Sequence, residues 1–279
     1  MPELPEVETI RLQLQPKLVG KTINKIIVLS KKNFIGDSSK VINKKILALS
    51  RVGKYLAIKL SGNLYLNFHM KMTGQLLYAQ KMNQPVFATG IPFTHSTRMP
   101  GNTTRVIIYF QDNSGLFFND LRKFGWIKVA DKPEQPKGVD VLTKEFTLKL
   151  VNSLTSKTTK PIKLLLIDQD RLSGIGNIYA NDILFLAKIH PLRKSDSLTS
   201  IEKSNLYQSV KKVIEQGIKH GGSSGADEAF INPAGEKGKH QQYFLVYQRK
   251  GKPCSRCKTL IKRIKHCGRS SFFCPKCQK

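Results

Sequence analysis

The 279-residue chain carries 47 lysines and arginines against 19 aspartates and glutamates, a formal net charge of +28 that is spread along the whole sequence. No run reaches the roughly eighteen apolar residues of a membrane helix, and the first residues lack the basic and apolar regions of a secretory signal. The charge predicts a polyanionic partner, because binding to a phosphate backbone releases counterions. We therefore expect a globular nucleic-acid-binding protein of the cytosol, without a membrane partner.

The first half of the chain is predicted to begin with a helix and to continue as short strands. Residues 5–19 place apolar side chains at three- and four-residue spacing, and Gly20 follows the last of them. Beyond this point, β-branched and aromatic runs alternate with turn residues, which predicts a β-sandwich or a barrel-like sheet. These runs are residues 23–29, 55–60, 64–68, 106–110 and 116–118.

Three further segments are assigned by composition and periodicity. Residues 80–102 are rich in proline, threonine and glycine and are predicted to form a long loop, whereas residues 131–140 have the composition of a linker. Residues 221–239 are rich in glycine, serine and lysine without an apolar face, which predicts a flexible loop or lid. Helical periodicity is present at residues 162–167, 178–186 and 201–218.

The C-terminal cysteines have the spacing of a zinc site. Cys254 and Cys257 form one closely spaced pair, Cys274 and Cys277 form another, and sixteen residues separate the pairs. Such pairs supply four thiolates to one tetrahedral zinc ion, and a site closed by four thiolates has no open position for catalysis. We therefore predict one structural zinc that clamps a β-hairpin. Cys267 lies outside the paired spacing and is predicted to be a free turn residue, although it could replace a ligand.

Several stretches of the sequence resemble bacterial formamidopyrimidine-DNA glycosylase. With the cysteine-rich terminus they extend the resemblance across essentially the whole chain. These stretches are residues 1–9, Lys54 with Tyr55, residues 120–125, and residues 174–180 continuing to residues 189–191.

The resemblance implies an α+β multidomain fold. It implies an N-terminal catalytic β-sandwich with flanking helices over residues 1–132 and a helix-two-turns-helix DNA-binding domain over residues 140–225. A lid loop and connector would follow over residues 226–245, and a zinc-finger β-hairpin over residues 246–279.

The activity implied is that of a bifunctional base-excision-repair enzyme, which excises 8-oxoguanine and formamidopyrimidines from double-stranded DNA and then cleaves the strand. Once Met1 is removed, Pro2 would carry a secondary amine that attacks the sugar C1′. The resulting cationic iminium would acidify the C2′ proton and lead to β,δ-elimination. The enzyme is expected to be a monomer in the bacterial cytoplasm, associated with the nucleoid.

The resemblance also assigns roles to charged residues. Glu3 would move protons during base loss, and Glu6 would be a supporting carboxylate at the DNA site, unless it merely complements the helix dipole. Lys54 would contact the phosphate beside the lesion and assist proton transfer. Arg269 would grip phosphate around the extruded nucleotide and donate a proton in the second elimination.

Chemistry at C1′ requires the damaged nucleotide to leave the stack, so the gap must be filled. Met72, Arg122 and Phe124 would fill it, with Arg122 facing the orphaned cytosine. Further contacts to DNA are expected from Lys123, Lys157, Lys160 and Asn177. The chain departs from the family where Lys123 replaces a second arginine, where Asn102 and Thr103 replace Lys-His, and in the longer preceding loop; these changes bear on DNA affinity and lesion preference.

Two alternatives remain at this point. An endonuclease VIII-like glycosylase for oxidised pyrimidines shares the architecture, although residues 4–8 favour the purine enzyme. A non-catalytic zinc-ribbon protein that binds nucleic acid would retain the scaffold without the reaction.

Overall fold

The computed structural model describes residues 2–94, 96–225 and 230–279. They form two compact units, Met1–Gln135 with His220–Gln241, and Pro136–Lys219 with Gln242–Lys279. The contacts of residues 220–241 therefore assign them to the first unit, whereas the resemblance divides them between the helical domain and the lid. Among the described helices, none combines the length and the apolar character that a membrane span requires.

The first unit contains one α-helix and eleven β-strands among its described residues. The helix is α1 (Leu4–Leu18). The strands are β1 (Ile23–Val28), β2 (Phe34–Ile35), β3 (Ile46–Val52), β4 (Tyr55–Leu60), β5 (Leu64–His69), β6 (Gly74–Ala79), β7 (Val86–Ile91), β8 (Ser96–Arg98), β9 (Thr104–Phe110), β10 (Gly115–Asp120) and β11 (Trp126–Ala130).

Two sheets enclose the core of this unit. One has the strand order β1-β9-β10-β6, and the other has the order β2-β11-β5-β4-β3. Alternate side chains from both sheets and one face of α1 form a single apolar cluster, in which Leu14, Phe68 and Phe118 are almost completely buried. Burial of this apolar surface is the main stabilising contribution, and the arrangement confirms the predicted β-sandwich.

Residues 80–102 do not form the uninterrupted loop that their composition predicts. They include β7 and β8, which pair as an antiparallel hairpin. Phe87, Ile91 and Met99 lie in a second buried cluster together with Ile231. The prediction was wrong because three apolar side chains scattered among prolines and threonines do not give the two-residue alternation of a strand. These side chains are nevertheless buried against residues distant in sequence.

Residues 221–239 also pack more closely than their composition predicts. Phe230 and Ile231 are buried in the two apolar clusters of the first unit. The hydroxyl of Ser224 donates to the carbonyl of Phe230 at 2.6 Å and accepts from the N–H of Gly238 at 2.8 Å. The described residues form a loop as predicted, but a loop with buried apolar side chains that its composition does not predict, whereas residues 226–229, where the predicted lid begins, lie outside the described residues.

The second unit is mainly helical and ends in a β-hairpin. Helix α4 (Asn177–Leu186) packs against α5 (Ser200–Lys219) and against β15 (Arg269–Phe273) of the hairpin. The sequence did not predict α2 (Leu148–Ser156), whose N-terminus is capped by the Thr147 hydroxyl, which accepts from the N–H of Leu150. The elements are β12 (Val139–Asp140), α2 (Leu148–Ser156), α3 (Ile162–Leu166), β13 (Leu172–Ser173), α4 (Asn177–Leu186), α5 (Ser200–Lys219), β14 (Lys262–His266) and β15 (Arg269–Phe273).

Candidate functional site

Two buried carboxylates stand at the N-terminus of α1. Glu3 is 2% exposed and Glu6 is fully buried. The N–H of Glu3 donates to Glu6 Oε2 at 2.8 Å, and the Glu3 carboxylate accepts in return from the N–H of Glu6. This reciprocal capping satisfies backbone donors of the first helical turn. It also fixes the backbone that follows Pro2, which is itself buried.

Glu6 has a second partner, distant in sequence. The N–H of Ser223 donates to Glu6 Oε1 at 2.7 Å. Gly222 allows this approach, since its φ is +76° and a Cβ there would lie 2.9 Å from Glu6 Cγ. The hydroxyl of Ser223 is buried and has no hydrogen-bond partner within the described part of the chain. Glu6 therefore joins the start of α1 to residues 220–241. Its role is not limited to complementing the helix dipole.

Lys54 lies beside a histidine rather than on a strand. It occupies the two-residue turn between β3 and β4, one position before the predicted strand at residues 55–60, and its side chain is buried. Burial, Lys71 and Lys54 together lower the pKa of His69 to about 3. The imidazole is therefore neutral at pH 7. Because the N–H of Lys71 donates to His69 Nδ1 at 3.0 Å, the ring proton resides on Nε2.

The three side chains expected to fill the gap in DNA all lie at turns. Met72 is 39% exposed between β5 and β6, whereas Met70 nearby is buried in the core. Phe124 is 47% exposed between β10 and β11, with the Arg122 guanidinium 4.7 Å from its ring centroid. Exposed large apolar side chains of this kind suit contact with a partner. Lys123, at the same turn, is exposed and has a positive φ of 56°.

In the second unit, Asn177 is the first residue of α4 and follows the extended N-cap Gly176. Its Oδ1 is buried without a hydrogen-bond partner among the described residues. Lys157 is the C-cap of α2. Lys160 is largely exposed and lies 3.7 Å from the carboxylate of Asp168. A helix N-terminus with nearby lysines can bind phosphate.

The four predicted zinc ligands converge. Their sulfur atoms all lie within 4.8 Å of one another, with 3.9 Å between Cys254 and Cys277 and 3.4 Å between Cys257 and Cys274. Zinc–sulfur bonds of about 2.3 Å in a tetrahedron require sulfur separations of about 3.8 Å, so the cluster fits one structural zinc ion. Cys267 is exposed at the hairpin turn, outside the cluster, as its spacing predicts.

Arg269 begins strand β15 and pairs with His266 across the hairpin turn. The adjacent residues are held by α3 and α4. Lys163 Nζ donates to the carbonyl of Ser270 at 2.6 Å and to the Ser271 hydroxyl at 2.8 Å. Asn181 Oδ1 accepts from the N–H of Phe272 at 2.7 Å. These bonds support the strand that carries Arg269.

Asp182 holds the segment that leads into the hairpin. Its carboxylate accepts from the N–H groups of Leu245, Val246 and Tyr247 at 2.9–3.1 Å. Burial raises its pKa to about 6 despite these bonds. The roles of Lys163, Asn181 and Asp182 were not predicted from the sequence. A signal was available, since these are polar residues within otherwise apolar helical runs. Polar side chains at buried positions need hydrogen-bond partners, so such residues indicate contacts to other elements.

Replacing Lys163 with methionine is expected to lower the free energy of unfolding of the second unit by about 2 kcal/mol, since buried hydrogen-bonding groups lose a charged partner. Chemical denaturation with zinc held in excess measures the change. Lys160→Met is the matched control, because Lys160 is 56% exposed in its side chain and should change stability by less than about 0.5 kcal/mol. Equal effects of the two substitutions would contradict a supporting role for Lys163.

Three family profiles match the chain in succession. Residues 1–127 match the formamidopyrimidine-DNA glycosylase N-terminal domain, and residues 138–228 match the formamidopyrimidine-DNA glycosylase H2TH domain. Residues 251–279 match the zinc finger found in FPG and IleRS. These matches confirm the predicted fold class, in which a helix-two-turns-helix domain and a zinc-finger hairpin follow the β-sandwich.

Full-length relatives agree with the profiles. The chain is 37% identical over 291 residues to the formamidopyrimidine-DNA glycosylase of Pelotomaculum thermopropionicum, covering 100% of this chain and 99% of that protein. It is also 37% identical over 285 residues to the enzyme of Carboxydothermus hydrogenoformans, covering 100% of both.

Solved structures show the same architecture. The MutM (Fpg) protein of Thermus thermophilus superposes with a TM-score of 0.85 at 30% identity, covering 99% of this chain and 98% of that one. A mutant of the Lactococcus lactis protein in complex with Fapy-dG-containing DNA gives a TM-score of 0.86 at 31% identity, covering 100% of both chains. The wild-type Lactococcus lactis protein in complex with DNA containing an oxidised pyrimidine gives 0.85 at 31% identity, again covering 100% of both.

Proposed function

The chain belongs to the formamidopyrimidine-DNA glycosylase family, and we propose that it excises oxidised purines from duplex DNA through a Schiff base on Pro2. As a member it is a base-excision-repair DNA glycosylase with lyase activity at abasic sites. The proposal adds the lesion class, 8-oxoguanine and formamidopyrimidines, and the nucleophile.

The observation that carries the proposal is the construction of the N-terminus. Pro2 is followed directly by the buried Glu3, whose backbone is fixed by Glu6. After removal of Met1, the Pro2 nitrogen would be a secondary amine with restricted orientation. A nucleophile held beside a carboxylic acid can form a covalent intermediate while the acid supplies a proton.

The reaction would consist of base loss followed by two eliminations. The Pro2 nitrogen attacks C1′ as the damaged base departs, and Glu3 delivers the proton needed for base loss and ring opening. Loss of the Pro2 N–H proton with opening of the sugar ring gives a cationic iminium, which acidifies C2′, and the C2′ proton passes to solvent as the 3′ phosphate leaves. A second elimination, in which C4′ loses a proton, releases the 5′ phosphate with Arg269 as the proton donor. Water then hydrolyses the iminium and frees the Pro2 nitrogen. Zinc takes no part in these steps, because its four thiolates leave it no open coordination position.

Contacts to DNA follow from charge and exposure. The net charge of +28 favours a phosphate backbone. Met72, Arg122 and Phe124 would fill the space left by the extruded nucleotide, and the enzyme would act as a monomer on the bacterial nucleoid in the cytoplasm. The residues proposed to bind phosphate are Lys54, Lys123, Lys157, Lys160, Asn177 and Arg269, and Glu6 would be a supporting carboxylate at the DNA site.

An oxidised-pyrimidine activity is the second candidate. It is favoured by one observation, the complex of the Lactococcus lactis relative with DNA containing an oxidised pyrimidine. The opening sequence favours purines, so we expect both activities to be measurable with the purine lesion as the better substrate.

Borohydride trapping separates the candidates. We expect single-turnover trapping on duplex DNA containing 8-oxoguanine opposite cytosine to be at least about tenfold faster than on a matched duplex with thymine glycol. A preference for thymine glycol would support the endonuclease VIII-like alternative. Binding of both duplexes without a trapped complex would support a non-catalytic protein.

A further inference from the structure

The two turns that carry the exposed side chains are joined by one buried hydrogen-bonded group. The first turn, residues 70–73 between β5 and β6, carries Met72, and the second turn, residues 121–125 between β10 and β11, carries Arg122 and Phe124. Asp120, the last residue of β10, is completely buried between them.

Thr73 connects the turns through both functions of its hydroxyl. It donates to Asp120 Oδ1 at 2.5 Å and accepts from the N–H of Arg122 at 3.1 Å. Asp120 Oδ1 lies 3.2 Å from the same N–H. A single hydroxyl of the first turn therefore bonds to a side chain and to the backbone of the second turn. Charge-assisted bonds of this kind are among the stronger hydrogen bonds in proteins.

The second turn is also held by hydrogen bonds at its base. The N–H of Gly125 donates to Asp120 Oδ2 at 2.6 Å, and the carbonyl of Gly125 accepts from the buried Asn33 amide at 2.7 Å. Arg105 Nε donates to the Asp120 carbonyl at 2.8 Å. Bonds reach both ends of the turn, so its exposed tip projects from a supported base.

We propose that Thr73 and Asp120 are positioning residues that hold the two turns as one body, so that Met72, Arg122 and Phe124 enter the duplex together. The inference rests on the proposed function, since it assumes that these side chains fill the space of an extruded nucleotide. Preorganisation lowers the conformational entropy lost on insertion. Without the link, each turn must be ordered separately while the base pair is open.

Thr73→Val tests the proposal with little change in shape, because it removes the hydroxyl and retains the branched side chain. We expect the single-turnover rate of 8-oxoguanine excision from duplex DNA to fall at least about tenfold. Trapping on single-stranded abasic DNA should stay within about twofold, since that substrate has neither a base to remove nor an opposite strand to separate. Thr73→Ser, which restores the hydroxyl, should recover most of the duplex rate.

A second readout follows insertion itself. A 2-aminopurine placed next to the lesion gains fluorescence when its stacking is disrupted, and we expect this rise to be slower or smaller in Thr73→Val. Thr143→Val is the matched control, since Thr143 hydrogen-bonds a carbonyl in the second unit; it should change neither readout.

The outcomes are distinguishable. An unchanged duplex rate and fluorescence rise in Thr73→Val would overturn the proposal, as would an equal loss on duplex and single-stranded substrates or a failure of serine to restore the rate. Failure of the wild-type protein to trap on the lesion would instead count against the proposed function, whereas the fluorescence readout does not depend on base removal.

Discussion

Blocking the Pro2 nitrogen is expected to abolish covalent trapping on 8-oxoguanine duplexes, with a rate loss on the order of 10³-fold or more. A lysine inserted between Met1 and Pro2 prevents methionine removal and places the Pro2 nitrogen in a peptide bond. The amide nitrogen has no available lone pair for attack at C1′. Single-turnover trapping measures the loss, and intact mass establishes which N-terminus is present.

Pro2→Gly is the comparison variant. Its free primary amine remains nucleophilic once Met1 is removed, so a trapped complex should still form at a reduced rate. The mechanism would be abandoned if protein whose mass includes the inserted residue trapped DNA at the wild-type rate. Detection of the cross-link on a different residue would have the same consequence.

Loss of one zinc ligand is expected to have the second large effect. Cys274→Ser should lower bound zinc below one ion per chain and reduce strand cleavage at least about a hundredfold. Zinc binding to such sites contributes about 10–16 kcal/mol of folding free energy, and a lone two-stranded hairpin is marginal without support. Without zinc, the buried cluster around Val246, Ile261 and Phe272 would no longer be cross-linked. Arg269 would then lose its fixed position.

Zinc content, measured by elemental analysis, should be determined on the same sample as cleavage of 8-oxoguanine duplexes. Cys267→Ser is the matched control, because Cys267 is exposed and lies outside the ligand cluster. It should retain zinc and keep activity within about twofold. Full activity of zinc-free Cys274→Ser would contradict a supporting role for the metal.

Local patterns predicted the elements whose characteristic side chains recur at a short, regular spacing in the sequence. The apolar spacing in residues 5–19 agrees with α1 at Leu4–Leu18, and the predicted strand at residues 55–60 coincides with β4. The cysteine spacing located the zinc site because four ligands in two close pairs satisfy a fixed coordination geometry.

Long-range partnerships could not be predicted in the same way. The Glu6–Ser223 bond joins residues 217 positions apart, and no periodicity marks either residue. The hairpin of β7 and β8 is stabilised by contacts to Ile231 rather than by its own pattern. Likewise, nothing in the sequence distinguishes Thr73 and Asp120 from other residues beside turns. Only the tertiary structure shows that their side chains are hydrogen-bonded to each other.

The bond between Glu6 and the Ser223 amide also limits where this enzyme can be altered. Gly222 has no room for a side chain beside Glu6, so we expect position 222 to tolerate few substitutions. Phe230 is tied to the same helix in another way, because it lies in the apolar cluster that α1 completes. Libraries intended to retarget the enzyme toward other damaged bases should therefore leave Gly222, Ser223 and Phe230 unchanged, so that the nucleophile keeps its setting.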